Sequence, residues 1–93
     1  MNQATKLARV IVRQILEAGI TDAVISPGSR NAPLSLALVT AQDLGLIKLH
    51  IRIDERTAAF YAHGLAKATE RPVPVICISG TAVANYHPPF LEA

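Results

Sequence analysis

Tryptophan is absent from this chain, and only two Tyr and two Phe stand among its 93 residues. So thin an aromatic content argues against a base-stacking platform for nucleic acid. The formal net charge is only +2, and the basic residues are dispersed, so no nucleic-acid or membrane-surface footprint is present. There is one cysteine, Cys77, set in an apolar run. It has no intramolecular disulfide partner, and a reduced, cytoplasmic setting is the default expectation. No apolar run approaches the roughly 20 residues of a membrane span. The amino terminus, Met1 to Lys6, lacks the apolar core of a signal peptide. Charged residues make up 17% against 51% hydrophobic, a balance that excludes disorder and leaves ample apolar surface to bury. Repeats, linkers and low-complexity tracts are missing too, and the length allows at most one small domain.

What is present is an alternation of helical and strand patterns. Leu7, Val10, Ile11, Ile15 and Ala18 recur at three- and four-residue spacing, with Lys6, Arg9, Arg13 and Glu17 opposite. This predicts an amphipathic helix over residues 4–18, with Gly19 in the C-cap region. Asp22 to Ser26 is a nearly all-apolar run, as expected of a strand covered on both faces. Pro27-Gly28-Ser29-Arg30-Asn31 breaks it, and a second helix is predicted over 32–42, with Pro33 tolerable in the first turn. In 46–53, Ile47, Leu49, Ile51 and Ile53 alternate with Lys48, His50 and Arg52, which predicts an edge strand with one wetter face. A small-residue helix follows over about 55–69, then a third strand over 73–79 with Pro74 near its start. A last helix opens near Gly80-Thr81, where Pro88-Pro89 kinks or restarts it.

The order α-β-α-β-α-β-α implies a three-layer α/β/α fold with a parallel sheet and right-handed crossovers. Parallel strands send all three carboxyl ends to one edge, where ligands of open α/β sheets bind. Pro27-Gly28-Ser29-Arg30, Asp54-Glu55-Arg56 and Ser79-Gly80-Thr81 gather there. The first couples a sharp turn to a helix start, and its backbone N–H groups, hydroxyl and guanidinium suit a carboxylate or phosphate. It serves equally as a tight turn with Ser29 or Asn31 as N-cap. Glu55 is either a catalytic carboxylate or a partner of the helix dipole, with Asp54 as N-cap and Arg56 a solvated charge. Ser79-Gly80-Thr81 permits close approach of a ligand to backbone, or forms a strand-to-helix turn capped by Thr81. His50, His63 and His87 match no zinc spacing, and no nucleophile elbow or triad order is present.

Taken together, Ser26-Pro27-Gly28-Ser29-Arg30-Asn31-Ala32-Pro33-Leu34, Asp54-Glu55-Arg56 and Ser79-Gly80-Thr81-Ala82-Val83-Ala84-Asn85 carry a resemblance. They are similar to the amino-terminal end of the 2-succinyl-5-enolpyruvyl-6-hydroxy-3-cyclohexene-1-carboxylate synthase family, thiamine-diphosphate enzymes of menaquinone and phylloquinone biosynthesis. The resemblance covers essentially the whole chain. It implies the first half of a pyrimidine-binding domain over residues 1–93, with strand order 2-1-3 and the remaining domains absent. Glu55 then matches the glutamate that hydrogen-bonds N1′ of the cofactor's aminopyrimidine and favours its imino tautomer. Pro27, Gly28, Ser79, Gly80 and Thr81 match cofactor-binding positions, while Ser29 and Arg30 match residues facing the acidic substrates isochorismate and 2-oxoglutarate. The resemblance also implies Mg2+ and a diphosphate site in a separate carboxyl-terminal domain, and a homodimer or homotetramer. Tyr86-His87-Pro88-Pro89-Phe90 is bulkier than the family's pattern. The same scaffold leaves two alternatives: an acetolactate-synthase-like or 2-oxoacid-decarboxylase relative, and a non-catalytic binding module. The chain is expected to be a piece of a longer protein, inactive alone.

Overall fold

A computed structural model describes residues 2–26, 28, 31–77 and 81–93, with Thr81 described by its backbone alone. Helix α1 (Gln3–Glu17) opens on Asn2, whose side chain accepts the Thr5 N–H at 2.8 Å and so satisfies one of the free amides of the first turn. Gly19, at φ +81°, then turns the chain into β1 (Asp22–Ile25). Helix α2 (Ala32–Asp43) carries its proline in the first turn, and Gly45, at φ +75°, helps lead out towards β2 (Lys48–Ile51). Helix α3 (Glu55–Thr69) begins directly behind Asp54 and ends on Glu70, held in the left-handed region at φ +57°. Strand β3 (Val75–Ile76), α4 (Thr81–Ala84) and α5 (His87–Glu92) complete the chain. The two prolines restart the last helix rather than kink it, and both fall in the first half of α5.

The three strands form one parallel sheet in the order β2-β1-β3. Ala23 pairs with Leu49 and Ile25 with Ile51 on one side, and Ile25 with Ile76 on the other. Pro74, which has no N–H to give, contributes only its carbonyl, accepting from Val24 N at 2.9 Å. The order decides the layers. The connection from β1 to β2 moves one way across the sheet and that from β2 to β3 moves back over β1, so right-handed crossovers must lie on opposite faces. The core obeys this. Val12, Ala23, Ile25, Leu38, Ala41 and Ile47 pack between the sheet and α1 and α2, while Val24, Ala58 and Ala62 pack between the sheet and α3.

Three departures from the sequence expectations have physical reasons. The buried line of α1 runs through Ala8 and Val12, and Leu7 and Val10 are 60% and 51% exposed, because the apolar stripe of α1 is wider than the surface that covers it. The strand expected over 46–53 pairs only over 48–51; Ile47 and Leu49 pack in the core as their alternation implies, but at the end of the strand the wetness of His50 and Ile51 is the reverse of the expectation. The His50 side chain is 10% exposed beneath α3, whereas Ile51 is 55% exposed. Tyr61 covers the polar face, and nothing among the described residues covers Ile51. The third strand pairs over two residues only, and Ile78 and Ser79 lie outside the described residues.

Candidate functional site

With β2 and β3 flanking β1 in parallel, the residues after Ile25, Ile51 and Ile76 emerge at one edge. The chain leaves β1 for α2 on one face and leaves β3 for α4 and α5, which packs against α3 on the other. The winding reverses between β1 and β3, so the crevice in which open α/β sheets take ligands is expected outside their carboxyl ends.

The first exit is braced from below. Asn31 is buried, and its side chain donates from Nδ2 to Ser26 O at 3.0 Å while Oδ1 accepts the Gly28 N–H at 3.1 Å. Ser35 Oγ lies 3.0 Å from Asn31 O and 3.1 Å from Asn31 Oδ1, and ties the brace to the first turn of α2. Asn31 was read from the sequence as a possible N-cap. It occupies that position without making the cap hydrogen bond, and uses its amide to close the turn instead. Ser26, at the end of β1, is 1% exposed, and its hydroxyl has no hydrogen-bond partner among the described residues.

At the second exit the capping role belongs to Asp54. Its Oδ2 accepts from Thr57 N at 2.9 Å and from Thr57 Oγ1 at 2.7 Å, and these bonds hold the Asp54 carboxyl below its ordinary value. Arg56 is exposed, as expected of a solvated charge. Glu55 is thereby released from capping. It sits half-buried at the first position of a 15-residue helix, where the helix's positive end favours an anion. Its carboxylate makes no hydrogen bond or ion pair with another described residue.

Tyr86, between α4 and α5, is the third member and was not singled out for function from the sequence. It is 7% exposed. Burial holds its phenol well above the ordinary value; the adjoining Cys77 thiol and then the negative charge of Glu55 add to the effect. Tyr86 is therefore a neutral hydroxyl at physiological pH, set between the third exit and Glu55. Its ring packs on Phe90, with centroids 5.8 Å apart.

Pro27, Ser29, Arg30, Ser79 and Gly80 lie outside the described residues, as does the side chain of Thr81, which begins α4. Gly28 and Glu55 are the members of the expected site whose surroundings are described. No three His, Cys, Asp or Glu side chains converge as a metal site among the described residues. No described helix is long and apolar enough to cross a membrane.

Residues 5–93 match the family described as "Thiamine pyrophosphate enzyme, N-terminal TPP binding domain". The chain belongs to this family. As a thiamine pyrophosphate enzyme N-terminal domain, it has curated relatives that are similar from end to end. It is 56% identical over 93 residues to the 2-succinyl-5-enolpyruvyl-6-hydroxy-3-cyclohexene-1-carboxylate synthase of Thermobifida fusca (strain YX), covering 100% of this chain and 16% of that protein. It is 55% identical over 93 residues to the synthase of the same name from Nocardia farcinica (strain IFM 10152), covering 100% of this chain and 17% of that protein. With the Saccharopolyspora erythraea synthase the identity is 52% over 93 residues, again 100% of this chain and 17% of that protein. The chain spans about one-sixth of the length of the curated relatives it matches.

Proposed function

We propose that this chain is the first half of the pyrimidine-binding domain of a thiamine-diphosphate-dependent transferase. The complete protein decarboxylates 2-oxoglutarate and joins the resulting succinyl-semialdehyde carbon unit to isochorismate, in menaquinone biosynthesis. The observation that carries the reading is Glu55: a half-buried carboxylate at the carboxyl edge of the sheet, with the capping task taken by its neighbour Asp54. Kinship with synthases named for the product of that reaction supports it.

The residues present fit the pyrimidine end of the cofactor. Glu55, unpartnered among the described residues, has acceptor capacity for a protonated ring nitrogen, and the buried Ser26 hydroxyl at the end of β1 has no partner among the described residues. When bound, thiamine diphosphate supplies the carbon nucleophile and the electron sink for decarboxylation and carbon–carbon bond formation. Glu55 would hold the aminopyrimidine by sharing a proton with its ring nitrogen N1′. Gly28, its N–H tied to Asn31, and Pro27 are assigned to holding the cofactor, a glycine permitting close approach of a ligand to backbone. Ser79, Gly80 and Thr81 are assigned with them to holding the cofactor. Ser29 and Arg30 are assigned to the substrates, since a guanidinium suits the carboxylates of isochorismate and 2-oxoglutarate. Mg2+ and the diphosphate are held by parts of the complete protein beyond this chain, which works in the cytoplasm as a homodimer or homotetramer.

The test is Glu55→Gln in the complete protein, assayed on 2-oxoglutarate with isochorismate and, separately, on pyruvate. Loss of turnover by at least about a hundredfold, with the melting temperature kept, is the expected result. Near-normal turnover would remove Glu55 from the mechanism, and turnover of pyruvate in place of the isochorismate pair would reassign the substrates.

A further inference from the structure

Helix α3 meets the sheet through the buried Ala58 and Ala62, with Tyr61 and Leu65 packed beside them. Alanine methyls allow a helix to approach closely, but they give it few ridges with which to fix its position along or about its own axis. The directional contacts at this interface are polar. Tyr61 of α3 places its phenol oxygen 3.1 Å from His50 Nδ1 on β2, and His50 Nε2 lies 2.8 Å from Asp22 Oδ2 on β1. Thr21 Oγ1 donates to the other carboxylate oxygen of Asp22 at 2.8 Å. A carboxylate only accepts, so Nε2 carries the hydrogen; in the neutral ring Nδ1 is then the acceptor of the Tyr61 hydroxyl. One directed chain of hydrogen bonds thus runs from α3 through β2 to β1.

The chain is sheltered and buttressed. The side chains of His50 and Asp22 are 10% and 16% exposed, which limits competition from water. The guanidinium carbon of Arg52 stands 4.2 Å from the centroid of the Tyr61 ring, within the range of a cation–π contact. Arg52 is itself pinned to β1, its N–H donating to Ile25 O at 3.0 Å. Tyr61 and Glu55 belong to the same helix, so at about 1.5 Å per residue a rigid rod of about 9 Å joins them. A shift of Tyr61 along or about the helix axis is carried to Glu55.

We propose that Asp22, His50 and Tyr61, with Arg52 on the Tyr61 ring, are positioning residues: they set the placement of α3 on the sheet and thereby the position of the Glu55 carboxylate in the crevice. This rests on the reading of Glu55 as the residue that meets the aminopyrimidine. Tyr61 acts through Glu55 and touches no substrate.

The experiment uses the complete protein with Tyr61→Phe, Glu55→Gln and the two combined, and Asp22→Asn as a second break at the far end of the chain. Turnover is expected to fall about tenfold in Tyr61→Phe, inside the roughly hundredfold that a misplacement of about 1 Å can cost. In the Glu55→Gln background the same change should cost nothing further, because the group it positions is gone. Hydrogen exchange at the amides of residues 55–61 in the cofactor-free protein should quicken in Tyr61→Phe and in Asp22→Asn. Equal losses from Tyr61→Phe in both backgrounds, a lowered melting temperature with turnover unchanged, or unaltered exchange at those amides would each overturn the proposal. Full activity in Glu55→Gln alone would instead overturn the catalytic reading, and the exchange measurement would still decide whether the chain places α3.

Discussion

Asn31 stands where a helix cap belongs, yet its side chain turns back to the strand it follows. Its amide donates to the carbonyl of Ser26 and accepts from the N–H of Gly28, so both ends of the first turn are tied to one buried group. Alanine there would leave that carbonyl and that N–H without their partner, at a cost of about 1–3 kcal/mol if water cannot reach them. Asn31→Ala in the complete protein is therefore expected to lower the denaturation midpoint, and Asn31→Asp to lower it too, since aspartate cannot donate to Ser26 O. A midpoint unchanged in both would show that the brace is dispensable. The sequence pointed to this turn through its Pro-Gly-Ser-Arg run, but not to the direction of the amide. A short polar side chain at a helix start has two uses, capping forward or bracing backward, and local pattern favours neither. The capping role of Asp54 was more legible, because an aspartate directly before a helical pattern is among the strongest N-caps.

At the scale of elements, periodicity placed the helices well and the strands less well. The repeat of small residues from Thr57 gave α3 its start and end, since a helix of that length writes its pattern in its own sequence. The edge position of β2 and the inward turn of Ile47 and Leu49 were legible from its alternation, but the burial of His50 on the opposite face was not. His50 reads as the wetter face until Tyr61 and Asp22 are brought to it, and Asp22 lies 28 residues away in the chain. The Asp22–His50 joint that holds β2 to β1 also gives the fold an acid dependence of known sign. The His50 hydrogen bond, more than any other influence, holds the Asp22 carboxyl below its ordinary value of 3.8, against the opposing effect of burial. A carboxyl depressed on folding adds stability that is present above 3.8 and lost as pH falls through the lower folded value. Asp22→Asn should thus melt below the parent at neutral pH, and the gap should narrow as the pH is lowered below 3.8. A gap that stays constant over that range would mean that the joint contributes through shape rather than charge.

The molecule as a whole leaves much apolar surface open. Ile53 is 84% exposed, Leu91 71%, Leu44 69% and Leu36 67%, and β3 pairs on one side only within the described sheet. Scattered apolar residues are ordinary on a protein surface, but long side chains on several elements together with an open strand edge mark a body that packs against something else. Such a body can present the pyrimidine end of a cofactor site without closing it. Binding energy for thiamine diphosphate has two large sources, charge neutralisation at the diphosphate and burial of the rings. This chain offers a carboxylate and a turn for the second, and no convergent acidic cluster for a metal among its described residues. Calorimetric titration of the isolated 93-residue chain with thiamine diphosphate and Mg2+ is therefore expected to show no measurable heat of binding, while the complete protein binds. Circular dichroism of the same sample would report whether the isolated chain keeps its helices. Micromolar binding by the isolated chain would overturn this division of labour, because the pyrimidine side would then hold the cofactor without the groups that grip its phosphates.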